Sequence, residues 1–320
     1  MTDDVFEHLK KELSAVQKNI PLKDHTTFKI GGPAEYFCIA QNKDEVVKAI
    51  NAAKKLGLSV FVFGGGSNLL VADEGLKGLV IKIENKGGVV IEGERLTGPT
   101  GISMQEVVEA SVNASLEGVE WAGGLPGSFG GAVRGNAGAF GGEMKDTVIE
   151  VQALDDTLAL RTFSNEECHF SYRNSIFKEK GWVVISVTLQ LKKGGKTKLR
   201  EIAEARKAYR QKNHPLQYPS AGSVFKNIPV QDIPMQFMDE FKGKVKQDPF
   251  PIVPAAWFII GAGLTGKQIG GAQISEQHSN YIINRGGARA KDVLDLAFFV
   301  EEKVKEKYDI DLEMEVQYVK

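Results

Sequence analysis

Apolar residues recur with helical spacing in some segments of this chain and alternate with polar residues in others. Residues 5–17 carry Phe6, Leu9, Leu13 and Val16 on one helical face. Further helices are predicted after the capping pairs Asn42/Glu45 and Ser103/Glu106, over residues 199–212 and over residues 291–307. Strands are predicted over residues 29–40, 60–63, 79–83, 149–154, 159–163, 183–191 and 312–319. This mixture predicts an α+β fold.

A polar, glycine-bearing segment, residues 192–196, suggests one boundary in the chain. The prediction is an N-terminal α+β domain over residues 1–193 and a smaller α+β domain over residues 194–320. A length of 320 residues fits a prior of about two domains.

Composition narrows the classes of function. The chain is 42% hydrophobic and 25% charged, with a net charge of −1, so bulk charge indicates neither a nucleic-acid nor a membrane partner. No apolar run approaches the ~20 residues of a membrane span, and the acidic N-terminus lacks the apolar core of a signal peptide. The two cysteines predict no disulfide framework, and the five histidines show no metal-ligand spacing. A cytoplasmic protein without a metal site is the expectation.

Two glycine-rich runs carry the strongest signal for a ligand. Residues 121–142 are dense in glycine, with Arg134 as the only charge in the interior of the run. Residues 64–68, Gly-Gly-Gly-Ser-Asn, directly follow an apolar strand pattern. Glycine lets backbone N–H groups approach an anion closely. Together the runs predict a large diphosphate cofactor, and Arg134 either pairs with a phosphate or faces solvent.

A third glycine motif resembles nucleotide-binding patterns but lacks features that a P-loop needs. Residues 261–266 match G-x-G-x-x-G, and Lys267 extends the match toward a P-loop. Gln268 stands where the P-loop needs a hydroxyl for Mg²⁺, and the following Gly270-Gly271 would break the required helix. A chance match is favoured over a nucleotide site.

Three polar residues are candidates for a functional role, but none of them indicates a function when it is considered alone. Arg173 lies among aromatic and hydroxyl residues, which suits a carboxylate partner but also suits an arginine at the edge of a strand. Ser223 follows a glycine in a turn and does not fit the G-x-S-x-G nucleophile pattern. Glu315 shares the polar face of the last strand with Glu313, so periodicity alone predicts a solvated side chain.

Taken together, the segments closely resemble the UDP-N-acetylenolpyruvoylglucosamine reductase family over nearly the whole chain. The matching segments, in the order of the family, are Pro21-Leu22; residues 26–32, 64–70, 123–128 and 136–139; Tyr172-Arg173; Gly222-Ser223 with residues 225–227; residues 269–272; and Glu315-Val316.

The resemblance implies a flavoenzyme with two half-reactions. NADPH would reduce FAD, and hydride would then reach the methylene carbon of UDP-N-acetylglucosamine enolpyruvate to give UDP-N-acetylmuramate, a peptidoglycan precursor needed for cell-wall biogenesis, cell shape and division. The implied fold is an FAD-binding domain of the vanillyl-alcohol-oxidase (PCMH) type with two α+β subdomains, divided near residue 84, followed by the substrate domain.

The resemblance also implies roles for individual residues. Ser223 matches the proton donor, while Arg173 and Glu315 match the pair that stabilises the enol-like intermediate. FAD would be bound by residues of the two glycine runs: Gly64, Gly65, Gly66, Ser67, Asn68, Leu69, Gly124, Gly127, Ser128, Gly131, Ala132, Asn136, Gly138 and Ala139. The substrate would be bound by Tyr172, Lys212, Asn227 and Gln268. The short interval between Arg173 and Ser223 resembles the second, shorter type of the family, which lacks an inserted loop.

Two features depart from the family pattern. Residues 228–256 contain five prolines and would either cover the substrate mouth or form an inert surface loop, with the loop favoured. Asn213 stands where a lysine is often expected, with Lys212 beside it, which leaves the substrate diphosphate contacts open.

The alternatives are another FAD-dependent oxidase or dehydrogenase of the same fold and a dinucleotide-binding module without catalysis. Because Ser223, Arg173 and Glu315 are all present, the reductase is preferred. The expected partners are the small-molecule substrate and NADPH, with no nucleic acid or membrane, and the expected state is a monomer.

Overall fold

The structure is a computed structural model that describes residues 2–85 and 87–320. The helices are α1 (Thr2–Glu12), α2 (Lys43–Lys55), α3 (Met104–Asn113), α4 (Phe129–Arg134), α5 (Ile176–Lys180), α6 (Lys196–Asn213), α7 (Met238–Phe241), α8 (Ala255–Gly261) and α9 (Ala290–Tyr308). The first seven strands are β1 (Gln17–Pro21), β2 (Pro33–Ala40), β3 (Val60–Phe63), β4 (Leu69–Val71), β5 (Leu76–Ile83), β6 (Val90–Glu92) and β7 (Arg95–Pro99).

The remaining strands follow in chain order, and several are only two residues long. They are β8 (Leu116–Glu117), β9 (Gly138–Ala139), β10 (Gly142–Glu143), β11 (Val148–Leu154), β12 (Leu160–Ser164), β13 (Val183–Gln190), β14 (Lys192–Lys193), β15 (Ile228–Pro229), β16 (Ile252–Val253), β17 (Gln268–Ile269), β18 (Ala272–Ile274), β19 (Ile282–Asn284) and β20 (Gln317–Val319).

The chain divides into two compact units that are not continuous in sequence. Unit 1 comprises Met1–Ile20, Ala34–Gly65 and Lys77–Tyr209, and unit 2 comprises Pro21–Pro33, Gly66–Leu76 and Arg210–Lys320. Helix α6 lies almost wholly in unit 1, where Leu199 and Ala203 join a buried core. The boundary between the two compact units in this part of the chain therefore follows residue 209. The boundary predicted at residue 193 concerns folding domains, and it stays a prediction.

Unit 1 contains two larger sheets, each with its own core, besides the short pairs β9–β10 and β8–β14. The first sheet has the strand order β1-β2-β5-β3, in which β3 and β5 run parallel. Its core includes Leu9 of α1 and the apolar face of α2, namely Val46, Ala49, Ile50 and Ala53. The cap predicted for α2 is confirmed, because Asn42 Oδ1 accepts a hydrogen bond from the Glu45 N–H.

The second sheet of unit 1 has the strand order β12-β11-β13-β7-β6, with antiparallel pairing throughout. Helices α3 and α4 contribute to its core through Val107, Val108, Phe129 and Val133. Helix α3 begins with the predicted capping box of Ser103 and Glu106. The first sheet ends at residue 83 and the second begins at residue 90, while the predicted subdomain boundary near residue 84 remains a prediction.

Unit 2 is built around helix α9, the three-stranded sheet β17-β18-β19 and the parallel pair β20-β4. The apolar stripe predicted for α9 is buried, with Val293, Leu296, Val300 and Val304 at most 1% exposed. The family resemblance places the substrate domain in this C-terminal region.

Two predictions need correction in unit 2. The strand predicted over residues 312–319 is regular only in β20, because Met314 instead forms an isolated bridge with Phe225. Residues 228–256, favoured as an inert surface loop, enter the core through Ile228, Ile233, Phe241 and Val253. The aromatic rings of Phe241 and Phe258 lie 4.2 Å apart, so apolar side chains between the prolines anchor this segment.

Candidate functional site

The two glycine-rich runs meet in unit 1. A Cβ built on Gly65 would lie 2.8 Å from Gly127 Cα and 2.8 Å from Ser128 N, and one built on Gly64 would collide with Ser128 Oγ. The Ser128 hydroxyl accepts hydrogen bonds from Gly65 N and Gly131 N, each at 3.3 Å. Such close backbone packing requires glycine at positions 64 and 65.

A cavity of about 420 Å³ lies beside this junction in unit 1. One wall is the apolar strand β3, which runs into Gly64, and the opposite wall carries Ser128, Gly130 and Gly131. Further apolar side chains complete the lining, among them Ile50 of helix α2, Leu154 of strand β11 and Trp182, which precedes strand β13. The cavity therefore combines apolar surface for an aromatic ring with exposed glycine backbone for a phosphate, as a dinucleotide requires.

Arg134, whose role the sequence left open between phosphate and solvent, lines this cavity. The side chain is half-buried, and loss of hydration lowers the pKa of its guanidinium. A cation held in a partly dehydrated cavity favours an anionic ligand. The geometry supports the phosphate interpretation.

Arg173 lies in unit 1 within a tight turn closed by hydrogen bonds between Ser171 and Asn174. Its backbone has φ +57°, in the left-handed region that non-glycine residues avoid. Its guanidinium donates to the carbonyl oxygens of Asn136 and Gly138 at 3.4 and 2.8 Å. The Tyr172 ring lies 5.0 Å from the Arg173 Cζ atom.

Asn136 connects this turn to the second glycine run. Its side chain is fully buried, donates to the Ser171 carbonyl at 3.1 Å and accepts from Lys145 N at 3.0 Å. Unit 1 therefore brings together four of the predicted site residues, namely Asn136, Gly138, Tyr172 and Arg173. Ala139 follows in strand β9, Ala132 is buried in α4, and Gly124 donates its N–H to Gln105 Oε1 at 3.1 Å.

Ser223 lies in unit 2, directly opposite Tyr281 in an antiparallel bridge. The pairing is fixed on both sides, since Val224 N donates to Asn280 O at 2.8 Å and Phe225 N donates to Asn280 Oδ1 at 3.0 Å. Burial raises the pKa of the Tyr281 phenol, and the Ser223 hydroxyl, as a neighbouring hydrogen-bond partner, lowers that pKa by a smaller amount.

Glu315 lies beside the same stretch of backbone and is hydrogen-bonded to Val224, the residue after Ser223. Its N–H donates to Val224 O at 2.7 Å, and its carbonyl accepts from Asn68 Nδ2 at 3.0 Å. The Glu315 side chain is half-buried, whereas periodicity alone predicted a solvated one; Glu313 is exposed and pairs with Lys226 at 2.5 Å. Unit 2 therefore brings Ser223, Glu315 and Asn68 together through adjacent backbone segments.

The remaining predicted residues of the first glycine run also lie in unit 2. A Cβ on Gly66 would collide with the carbonyl oxygen of His25, and the residue has φ +63°. Ser67 is half-buried, and Leu69 begins β4, which pairs with β20.

Sequence reasoning missed a cluster of aromatic residues around Ser223. Tyr281 Oη lies 3.0 Å from His214 Nδ1, and the His278 ring centroid lies 4.9 Å from that of Tyr281. Burial, followed by the charges of Arg210 and Lys246 and by His278, lowers the pKa of His214 to about 4. Burial raises the pKa of Tyr281 to about 12. No sequence signal reveals this cluster, because 67 positions separate His214 from Tyr281.

The predicted substrate-binding residues of unit 2 occupy three different elements. Asn227 Oδ1 accepts a hydrogen bond from Ala255 N at 3.2 Å, at the start of α8. The Gln268 amide donates to the carbonyl of Gly270 at 2.8 Å within the β17–β18 turn. Lys212 is exposed near the end of α6, and its carbonyl accepts from Gln277 Nε2 at 2.8 Å.

The P-loop-like run does not have the geometry of a P-loop. Residues 261–267 follow helix α8 and precede strand β17, whereas a P-loop follows a strand and opens a helix. The interpretation as a chance match is confirmed.

Two further features concern only the described part of the chain. Over residues 2–85 and 87–320, no helix is both long and apolar enough to cross a membrane. In the same ranges, no group of three or more His, Cys, Asp or Glu side chains could hold a metal ion.

Comparison with known proteins agrees with these features. The family profile described as FAD binding domain matches residues 34–161, and the profile described as UDP-N-acetylenolpyruvoylglucosamine reductase, C-terminal domain, matches residues 214–319. UDP-N-acetylenolpyruvoylglucosamine reductase of Caldanaerobacter subterraneus is 37% identical over 319 residues, which is 100% of this chain and 98% of the relative. The enzyme of that name from Lactobacillus acidophilus is 39% identical over 312 residues, 98% of this chain and 97% of the relative.

A solved structure extends the likeness to the fold. The crystal structure of UDP-N-acetylenolpyruvylglucosamine reductase from Thermus caldophilus superposes with a TM-score of 0.74 at 32% identity, covering 95% of this chain and 99% of that chain.

The fold, the glycine-lined cavity and these matches define a flavoprotein with an FAD-binding domain, and its cofactor is FAD. Within that class, the chain belongs to the UDP-N-acetylenolpyruvoylglucosamine reductase family.

Proposed function

We propose that this chain catalyses the NADPH-dependent reduction of UDP-N-acetylglucosamine enolpyruvate to UDP-N-acetylmuramate, a step of peptidoglycan precursor synthesis. Family membership supports this activity. The observation that carries the catalytic part is the backbone junction in unit 2, where Val224 bonds Glu315 and the preceding residue, Ser223, lies opposite the buried Tyr281. We also propose that the chain acts as a monomer in the cytoplasm.

FAD, when bound, supplies hydride transfer between NADPH and the substrate. The residues that would hold it line the cavity of unit 1: the backbone of Gly64, Ser128, Gly130 and Gly131, with Arg134 facing the diphosphate. Gly64 and Gly65 allow the two glycine runs to pack closely beside this cavity, which keeps the backbone of both runs near such a ligand.

We propose that Arg173, Glu315 and Ser223 act on the substrate. Hydride addition at the methylene carbon leaves negative charge on the neighbouring carbon and its carboxylate. A guanidinium fixed by two carbonyl oxygens, as in Arg173, is suited to stabilise that charge. Glu315 would orient the intermediate, and the Ser223 hydroxyl would give its proton to the carbon, which is basic enough to accept one from a neutral alcohol.

The test separates the two half-reactions by rapid mixing without oxygen. NADPH should bleach the flavin absorbance of the purified protein, and UDP-N-acetylglucosamine enolpyruvate should then restore it. The Ser223→Ala variant should keep the first rate near wild type and slow the second by roughly 10²–10⁴-fold, the usual loss when a positioned general acid is removed.

Two outcomes would contradict the proposal. Absence of any response to the UDP-sugar, together with rapid reoxidation when the reduced protein is mixed with air-saturated buffer, would favour another oxidase of this fold. A Ser223→Ala variant that is slow in reduction but normal in reoxidation would refute the role given to Ser223.

A further inference from the structure

We propose that Tyr281 is a positioning residue for Ser223, which holds the serine hydroxyl toward the substrate and replaces the proton that Ser223 gives away. The inference rests on the proposed function of Ser223 and deepens it. It comes from a series of neighbours in unit 2: Tyr281 lies directly opposite Ser223 in an antiparallel bridge, and Tyr281 Oη lies 3.0 Å from His214 Nδ1.

The first step of the argument is rigidity. Tyr281 is 8% exposed and lies opposite Ser223 in the bridge that Asn280 fixes through hydrogen bonds to both the N–H and the carbonyl of Phe225. Gly222, with φ +81°, turns the chain just before Ser223. A serine hydroxyl rotates freely unless a partner holds it, and here the phenol is that partner.

The second step concerns the supply of protons. When the substrate carbon takes the Ser223 proton, a C–H bond forms from the electron pair of the enolate, the Oγ–H bond breaks, and an alkoxide remains. The Tyr281 Oη–H bond then breaks and its proton passes to Oγ. The phenolate then regains a proton from water, which leaves hydroxide, while His214, the hydrogen-bond partner of Tyr281 Oη, keeps the phenol oriented.

The third step concerns relative acidity. The pKa of Tyr281 is about 12, below that of water at about 15.7, so an alkoxide at Ser223 gains a proton from the phenol more readily than from solvent. The nearby Arg210 charge lowers the phenol pKa, while the Glu315 charge raises it. His214, with a pKa of about 4, is neutral at pH 7 and retains one N–H and one lone pair.

The test uses the holoenzyme and a Tyr281→Phe variant, which keeps the ring and removes the hydroxyl. Flavin reduction by NADPH should match wild type. Reoxidation by UDP-N-acetylglucosamine enolpyruvate should slow by roughly tenfold or more, while the substrate concentration for half-maximal rate changes less than about twofold. A purely structural defect would move both quantities.

A double-variant cycle shows whether Tyr281 acts through Ser223. If it does, Ser223→Ala combined with Tyr281→Phe should be no slower than Ser223→Ala alone. Tyr308→Phe is the matched control, because this buried tyrosine of the same unit also loses one hydrogen bond, at 2.8 Å to Glu240. It should leave reoxidation unchanged.

Each of the following results would decide for or against the inference. Tyr281→Phe with wild-type reoxidation, or rate effects that multiply in the double variant, would refute it while leaving Ser223 as the donor. Ser223→Ala with normal reoxidation would refute both proposals. If Tyr281→Phe does not fold, His214→Phe keeps the aromatic packing and removes Nδ1; reoxidation slowed severalfold supports the series, and wild-type reoxidation overturns it.

Discussion

The backbone of Arg173 lies in the left-handed region at φ +57°, a conformation that costs a non-glycine residue of order 1 kcal/mol or more. The surrounding turn and the carbonyl oxygens of Asn136 and Gly138 keep the residue there. Such conformations persist where the position of one side chain matters more than local stability. The sequence showed an arginine among aromatics, but only the fold shows that its guanidinium is fixed.

Replacing Arg173 with lysine should separate charge from position. Lysine keeps the positive charge but is a point donor that cannot reproduce a planar guanidinium bonded to two carbonyls. We expect reoxidation by the UDP-sugar to slow by roughly tenfold to a hundredfold, with flavin reduction unchanged. Lys178→Arg, in helix α5, is the control: Lys178 Nζ donates to the Arg173 carbonyl at 3.0 Å and arginine keeps a donor there, so this variant should behave as wild type. Equal rates for Arg173→Lys and wild type would contradict the role.

His214 makes a second residue-scale prediction, on stability against pH. Burial lowers its pKa from 6.5 to about 4 in the folded chain, beside His278, Arg210 and Lys246. The unfolded chain therefore binds a proton first as the pH falls, and folding stability declines from about pH 6.5 toward pH 4. The shift corresponds to about 3 kcal/mol at most; above pH 6.5 the group contributes no pH dependence.

The measurement is the free energy of unfolding in urea at pH 7.5 and pH 4.5. His214→Phe should lose less stability between these pH values than wild type does, because the titrating group is gone. His8→Gln, at an exposed position, should show the wild-type difference. An unchanged difference in His214→Phe would show that this histidine does not titrate as described.

At the scale of elements, the accuracy of sequence prediction depended on how local each signal is. The caps of α2 and α3 and the apolar stripe of α9 depend on residues three or four positions apart, so the sequence contained them fully. Helix α8 was not predicted, since Ala255–Gly261 is apolar almost throughout and has no polar face to reveal a period. Helix α4 lies inside the glycine run, where propensity argues against a helix.

The junction of the two glycine runs gives the element-scale prediction. In Gly65→Val, the new side chain would press against Gly127 and Ser128, where even a Cβ lies 2.8 Å from backbone atoms. The loops must then separate, and we expect the purified variant to lose its FAD absorbance. Gly195→Ala is the matched control in the same unit, because a Cβ there meets nothing within 4 Å. Retention of FAD at wild-type affinity by Gly65→Val would show that this contact is not needed for cofactor binding.

At the scale of the whole molecule, the sequence predicted the class of cofactor and the family but not the division of the chain. Units 1 and 2 each collect segments distant in sequence, so Asn68 and Glu315 share unit 2 although 247 positions separate them. Such pairings arise from strand register, as between β4 and β20, and periodicity contains no information about register. For the same reason the Tyr281–His214 pair and the anchoring of residues 228–256 were not foreseen.

The last prediction concerns the cofactor that the whole chain retains. The cavity of unit 1 joins an apolar wall of strand β3, glycine backbone at residues 64, 130 and 131, and the half-buried Arg134. An aromatic ring with a diphosphate satisfies all three features, whereas FMN lacks both the second phosphate and the adenosine. The protein should therefore purify yellow with about one FAD per chain, and cofactor-free protein should regain full absorbance with FAD but not with an equal concentration of FMN. Cofactor released by heat and separated by chromatography identifies the flavin; stoichiometric FMN, or equal retention of both flavins, would contradict the assignment of this cavity to the dinucleotide.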